Sequence, residues 1–318
     1  MKQKNTAESS RLDDAARAGW LYYVAGNTQD EIARKLGVSR QSAQRLVSLA
    51  VSERLIKVRL DHPIARCMEL SSRLSDKFDL LNCEVVPSDP DVPTSPIGIA
   101  QAAAAEMERH FRSPQPKIIS FGTGRSLRAS VDQLPTMDCP QHRVVSLLGN
   151  MMSDGSASAY NVIIRLAERI NARHYPMPLP VFARSREELQ LLHNQEAVHN
   201  ILDLIRQADA TFVGVGNIGP TAPMTVDGFV TLDEMRALEN AGAVGEITSW
   251  AYTQDGNLID GLSNDLVASA PLMAARDKPV YGVAAGEAKV PAIAGALTGK
   301  LINCLITNET TAEQLLKH

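Results

Sequence analysis

Residues 28–47 read TQDEIARKLGVSRQSAQRLV, and their spacing decides how the first part of the chain folds. Thr28 followed by Glu31 is the pattern in which each side chain satisfies the other's backbone N–H, so a helix begins after Thr28. That helix carries Ile32, Ala33 and Leu36 on one face. Gly37 stops it, because glycine enters the left-handed region at no steric cost. Val38 supplies an apolar plug at the turn, and Ser39 caps a second helix whose inner side is Ala43, Leu46 and Val47. Two short helices joined by a glycine-containing turn, with small residues where they cross, make a helix-turn-helix.

The outward side of the second helix is Arg40, Gln41, Ser42, Gln44 and Arg45. Arginine and glutamine offer paired hydrogen-bonding groups that match guanine and adenine edges, while Thr28, Ser39 and Ser42 sit where helix N-termini suit phosphate oxygens. These seven residues are the candidates for contact with double-stranded DNA. A solvated helical hairpin would also have a polar face, but no acidic residue falls between Ala33 and Val51. Charge divides the same way along the chain. Residues 1–61 hold eleven Lys and Arg against seven Asp and Glu, a net of +4, which leaves −8 for residues 62–318. A basic head on an acidic body is the asymmetry expected when only one part meets a polyanion.

With 318 residues, 44% of them apolar, the chain is long enough for about two domains and a sizeable core. Cys67, Cys83, Cys139 and Cys304 lie far apart, without CxxC pairing or histidines at ligand spacing, so reduced thiols and no metal site are expected. The polar start MKQKNTAESSRLDD is no secretory signal, and no window approaches a membrane span; the expected location is the cytoplasm.

From Arg11 to about Leu55 the periodicity is helical, and LIKVRL (55–60) alternates as a half-exposed strand. Residues 63–82 place Ile64, Met68, Leu70, Leu74, Phe78 and Leu81 at helical spacing, a helix that could connect two parts or pair with a copy of itself. Four prolines make residues 87–96 a loop. Beyond Lys117, strands are expected at 117–122, 143–149, 211–216, 279–286 and 300–307, with helices at 158–171, 186–208 and 290–297. That alternation predicts a parallel sheet covered on both faces, with ligands at the carboxyl ends of its strands.

The loops there are rich in candidates. FGTGRSL (121–127) leaves a strand and enters a helix, so Gly122 and Gly124 allow close approach of backbone while Thr123, Arg125 and Ser126 present polar groups; an anion fits there. The run lacks both the third glycine of GxGxxG and the GK[ST] of a P-loop, which disfavours dinucleotides and nucleoside triphosphates. Gly214, Gly216 and Gly219 permit a second close approach, with Asn217 as a polar contact. Asp227 and Glu246 can accept hydrogen bonds from sugar hydroxyls. Lys289 follows the strand-glycine run VYGVAAG at a helix start, where it can pair with a bound anion. Each also has a plainer reading, as turn glycine, exposed carboxylate or surface lysine.

The run GWLYYVAGNTQDEIARKLGVSRQSAQRLVSLAVSERLIKV resembles the amino-terminal domain of the SorC family of bacterial transcriptional regulators. FGTGRSL, GVGNIGP (214–220), NAGAVGEI (240–247) and GVAAGEAKVPAIAGAL with INCLITNETTAEQLL (282–316) resemble that family's effector loops and closing segment. Phe121 and Thr123 depart from the glycine and tryptophan usual around the first loop, as do Ala285 and Glu287 before the lysine. The resemblance implies a helix-turn-helix domain over residues 1–62 and a linker helix with an oligomerisation segment over 63–89. It implies a doubly wound α/β sugar-binding domain, related in fold to phosphosugar isomerases and deaminases, over 90–318. The implied partners are operator DNA, a sugar, polyol or sugar phosphate, and further copies of the chain as a dimer or tetramer. No cofactor is implied. Two other readings compete: an isomerase-like enzyme using Lys289, Glu246, Asp227 or His174 to move protons, and a DNA-binding scaffold that only oligomerises. The scattered histidines form no catalytic pattern, and the scaffold leaves the glycine loops without a role.

Overall fold

The computed structural model describes residues 2–53, 55–56, 64–92, 95–152, 155–157, 160–275 and 277–318. The chain forms two compact units, residues 1–62 and 63–318. No helix among the described residues is long and apolar enough to cross a membrane.

The first unit contains α1 (Lys2–Tyr23), α2 (Gln29–Leu36) and α3 (Arg40–Ser52). The capping box at α2 is complete. Thr28 Oγ1 accepts from the Glu31 N–H at 3.3 Å, and Glu31 Oε2 accepts from the Thr28 N–H at 2.7 Å. Gly37 ends α2 at φ 67°, and Ser39 caps α3 by accepting from the Ser42 N–H at 3.1 Å. Ile32, Ala33, Ala43 and Val47 bury against Ala18 and Leu21 of α1, with Leu36, Val38 and Leu46 packed at the edge. Helix α1 therefore closes the open side of the hairpin. A Cβ at Gly19 would lie 2.8 Å from Ala50 Cβ, so the absence of a side chain sets how closely α1 and α3 approach. Of the expected strand at 55–60, only Leu55 and Ile56 are among the described residues, and neither is in a strand.

In chain order the second unit contains α4 (Ala65–Phe78), β1 (Asn82–Val86), α5 (Ile97–Phe111), β2 (Ile118–Phe121), α6 (Arg125–Gln133), β3 (Arg143–Ser146), α7 (Val162–Ile170) and β4 (Arg173–Tyr175). Then follow α8 (Arg186–His193), α9 (Glu196–Gln207), β5 (Ala210–Gly214), β6 (Gly216–Asn217), α10 (Pro223–Val226), α11 (Leu232–Asn240), β7 (Ala243–Ile247) and β8 (Trp250–Thr253). The chain closes with β9 (Val280–Val283), α12 (Val290–Thr298), β10 (Cys304–Asn308) and α13 (Glu309–Lys317). Seven strands form one parallel sheet in the order β1-β10-β9-β5-β2-β3-β4. One face buries Leu70 and Leu74 of α4, Val198 and Ile201 of α9, Ile293 and Leu297 of α12 and Leu315 of α13. The other buries Ala103 and Met107 of α5, Leu127 of α6 and Leu166 and Ile170 of α7. Burial on both faces explains why the strands read as apolar runs rather than as alternating patterns.

Three differences from the sequence expectations have local causes. Residues 186–208 form two helices, because Gln195 adopts an extended conformation at ψ 135° after the polar His193–Asn194 pair. The last strand begins at Cys304 rather than at Lys300, since Lys300 turns through φ 53° to leave α12. The 63–89 segment is built into the second unit rather than standing apart from it. Helix α4 buries Cys67, Leu70 and Leu74, and β1 pairs with β10 as an edge strand of the sheet.

Candidate functional site

Strand order fixes where a ligand can sit. From β2 the chain steps outward to β3 and β4, then returns to the other side of β2 as β5 and continues outward through β9 and β10. The reversal lies between β2 and β5, and in an open parallel sheet the loops leaving two such strands splay apart into a crevice. Phe121, Phe212 and Tyr281 stack across these central strands with ring centroids 5.5 and 4.7 Å apart, which holds β2, β5 and β9 in register.

A cavity of about 700 Å³, including its open mouth, occupies this crevice. Thr123, Gly124, Arg125 and Ser126 line it from the β2–α6 loop, Gly214, Val215 and Gly216 from the end of β5, and Lys289 from the turn before α12. Glu246, Thr248 and Ser249 enter from the small antiparallel sheet of β6, β7 and β8, and Asp227 from the end of α10. Five segments far apart in sequence thus deliver eight of the ten expected effector residues to one cavity.

The other two lie beside it. Gly122 is buried in the backbone beneath, its N–H donating to Phe212 O at 2.8 Å. Asn217 is displaced by strand alternation: Gly216 is paired with Glu246 and Asn217 with Gly245, so one step along β6 sends its side chain to the opposite face. The cavity also takes in Leu148, Tyr160, Pro223, Met224 and Phe229, which the sequence did not single out. Tyr160 belongs to no recognisable motif, whereas Thr248 and Ser249 follow Glu246 closely enough that a hairpin there would have brought them in.

The charged groups are tied together. The Arg125 guanidinium donates to Asp227 Oδ1 at 3.1 Å and to the Tyr160 hydroxyl at 3.2 Å, and Tyr160 donates to the other oxygen of Asp227. Opposite them, Lys289 Nζ donates to Val215 O at 2.9 Å, and Glu246 Oε2 accepts from the Ser249 N–H at 2.9 Å. Burial pushes the Glu246 carboxyl above its ordinary value, opposed by the Ser249 N–H and Lys289. Burial likewise pushes the Lys289 ammonium down, opposed by Glu246 and reinforced by Arg125. Each of this pair therefore stabilises the other's charge against the loss of water.

On the first unit, Gln41, Gln44 and Arg45 are exposed along α3. Arg40 is exposed too, with its Nε 3.5 Å from Asp30 Oδ1 on α2. The Thr28, Ser39 and Ser42 hydroxyls are engaged in the caps: Thr28 donates to Glu31 at 2.9 Å, and the two serine oxygens lie 2.9 Å apart. They hold the helix N-termini in place.

Comparison with known proteins extends over the whole chain. A family model described as "Putative sugar-binding domain" matches residues 62–317. The erythritol catabolism regulatory protein EryD of Brucella abortus is 32% identical over 302 residues, covering 95% of this chain and 96% of its own. The transcriptional regulator LsrR of Escherichia coli K12 is 29% identical, covering 96% and 95%. The crystal structure of the full-length sorbitol operon regulator SorC from Klebsiella pneumoniae superposes with a TM-score of 0.69 at 26% identity, over 96% of this chain and 99% of that one.

Proposed function

The chain belongs to the SorC family of bacterial sugar-responsive transcriptional regulators, and from that premise we propose how its two units share the task. Relatives that span the whole chain are regulators rather than enzymes, so the isomerase-like alternative falls away. Helix α3 enters the major groove of operator DNA. Arg40, Gln41, Gln44 and Arg45 meet base edges and phosphates, while Thr28, Ser39 and Ser42 shape the helix ends that approach the backbone. The crevice between β2 and β5 holds a small sugar, polyol or sugar phosphate, with Thr123, Arg125, Ser126, Asp227, Glu246 and Lys289 as its polar contacts. Effector binding favours one arrangement of subunits in a dimer or tetramer in the cytoplasm, and so changes operator affinity.

The observation that carries this reading is the convergence of Arg125, Asp227, Glu246 and Lys289 on a cavity at the switch point of the sheet, in a chain that also bears a capped helix pair with an exposed Arg/Gln face. The test is fluorescence anisotropy of the full chain on DNA from upstream of its own gene and its neighbours, across a salt series, with and without a panel of sugars, polyols and their phosphates. Salt-sensitive binding that one compound shifts, and that Lys289→Ala no longer shifts, is the expected result. Specific DNA binding that no member of the panel alters would remove the effector role.

A further inference from the structure

The charges around the cavity say more about the ligand than the loops do. Among the described residues its lining carries two cations and two carboxylates, so its formal charges cancel. Arg125 is 3.1 Å from Asp227, and Lys289, whose ammonium donates to Val215 O, lines the same cavity as the Glu246 carboxyl. As ammonium and carboxylate, Lys289 and Glu246 sum to zero just as Arg125 and Asp227 do. Resting on the effector-site reading above, we infer that the cavity selects an uncharged polyhydroxylated effector, a free sugar or polyol, over its phosphate ester.

The chemistry of the charged positions in the lining favours this choice. A hydroxyl is donor and acceptor at once, so one diol donates to Asp227 or Glu246 and accepts from Lys289, Thr123 or Ser126. A phosphate dianion only accepts. To reach the Arg125 guanidinium it would displace Asp227, stranding that carboxylate beside the new charge, or lie against both. The first turn of α6 would favour an anion, but its leading residue already has a carboxylate within ion-pair distance. Leu148, Val215, Met224 and Phe229 supply apolar wall for the C–H faces of a carbohydrate. Glu246 is also fixed rather than free to swing away, with Ser249 N–H on one oxygen and Gly216 leaving room for the other.

Isothermal titration of the full chain with C4–C6 polyols and sugars, each beside its own monophosphate and with inorganic phosphate as control, tests the inference. The neutral member of the binding pair should be at least about tenfold tighter than its ester, and Asp227→Asn, which removes one carboxylate charge without changing shape, should narrow that gap. Tighter binding of the ester, abolished by Lys289→Ala, would overturn the charge argument while leaving the effector site in place. Absence of binding throughout the panel, or binding that Lys289→Ala leaves intact, would overturn both.

Discussion

Gly216 has no side chain, and Glu246 uses the space. A Cβ at that position would lie 2.0 Å from Glu246 Oε1, a separation that neither atom can tolerate. Gly216→Ala should therefore push the carboxylate out of the cavity wall, cost about 1–3 kcal/mol as an overpacked site, and weaken effector binding. Thermal melts and titration together check this; a variant normal in both would mean that Glu246 is not held against β6. On the first unit, Arg45 stands on the exposed face of α3, and Arg45→Ala should lower operator affinity by about 1–3 kcal/mol with effector affinity unchanged. Normal DNA affinity in that variant would place the recognition surface elsewhere. A third residue governs acid stability. Burial alone would raise the Glu106 carboxyl, but neighbouring His110, Arg109 and Tyr281 outweigh it and hold the group well below its ordinary 4.5. A depressed carboxylate contributes stability above its unfolded value, and that stability is lost as pH falls through the folded one. Melts taken between neutral pH and about pH 3 should show part of the acid-side loss absent from Glu106→Gln; identical slopes would assign the loss to other carboxylates.

At the scale of elements, the β7–β8 hairpin turns through Thr248 at φ 50° and Ser249 at φ 73°, both in the left-handed region that glycine and asparagine enter far more readily. The strain places the Ser249 N–H on the Glu246 carboxylate and both residues in the cavity wall. Ser249→Gly keeps that N–H while relieving about 1 kcal/mol, so Tm should rise by roughly 2–4 °C. An unchanged or lower Tm would show that the serine side chain offsets its own backbone strain. This turn also marks the limit of what the sequence displays. The main strands were visible in apolar runs such as KIISFG and TFVGVG, and the helix pair in its caps, because those signals are local. Strand order is not local: nothing in the residues of β1 says that it joins the sheet beside β10. The cavity divides along the same line. Glycine loops after strands pointed to its walls, yet Tyr160 and the Arg125–Asp227 pair, separated by 35 and 102 positions from Arg125, meet only once the sheet has folded.

For the whole molecule, the division into residues 1–62 and 63–318 separates the basic +4 head from the −8 body, so DNA and sugar are expected to load different units of one chain. Communication between them is then a coupling free energy, and such a coupling is reciprocal. If the sugar changes operator affinity by some factor, the operator must change sugar affinity by the same factor, typically about 5- to 150-fold when sites are linked through a conformational equilibrium. Titrating the sugar into the free protein and into the protein saturated with operator duplex measures one factor; anisotropy with and without saturating sugar measures the other. Equal factors, both abolished in Lys289→Ala while its sugar-free operator affinity is retained, are the expected outcome. A sugar effect on DNA binding with no matching shift in sugar affinity would mean that the compound perturbs the DNA measurement without acting as an equilibrium ligand of the β2–β5 crevice.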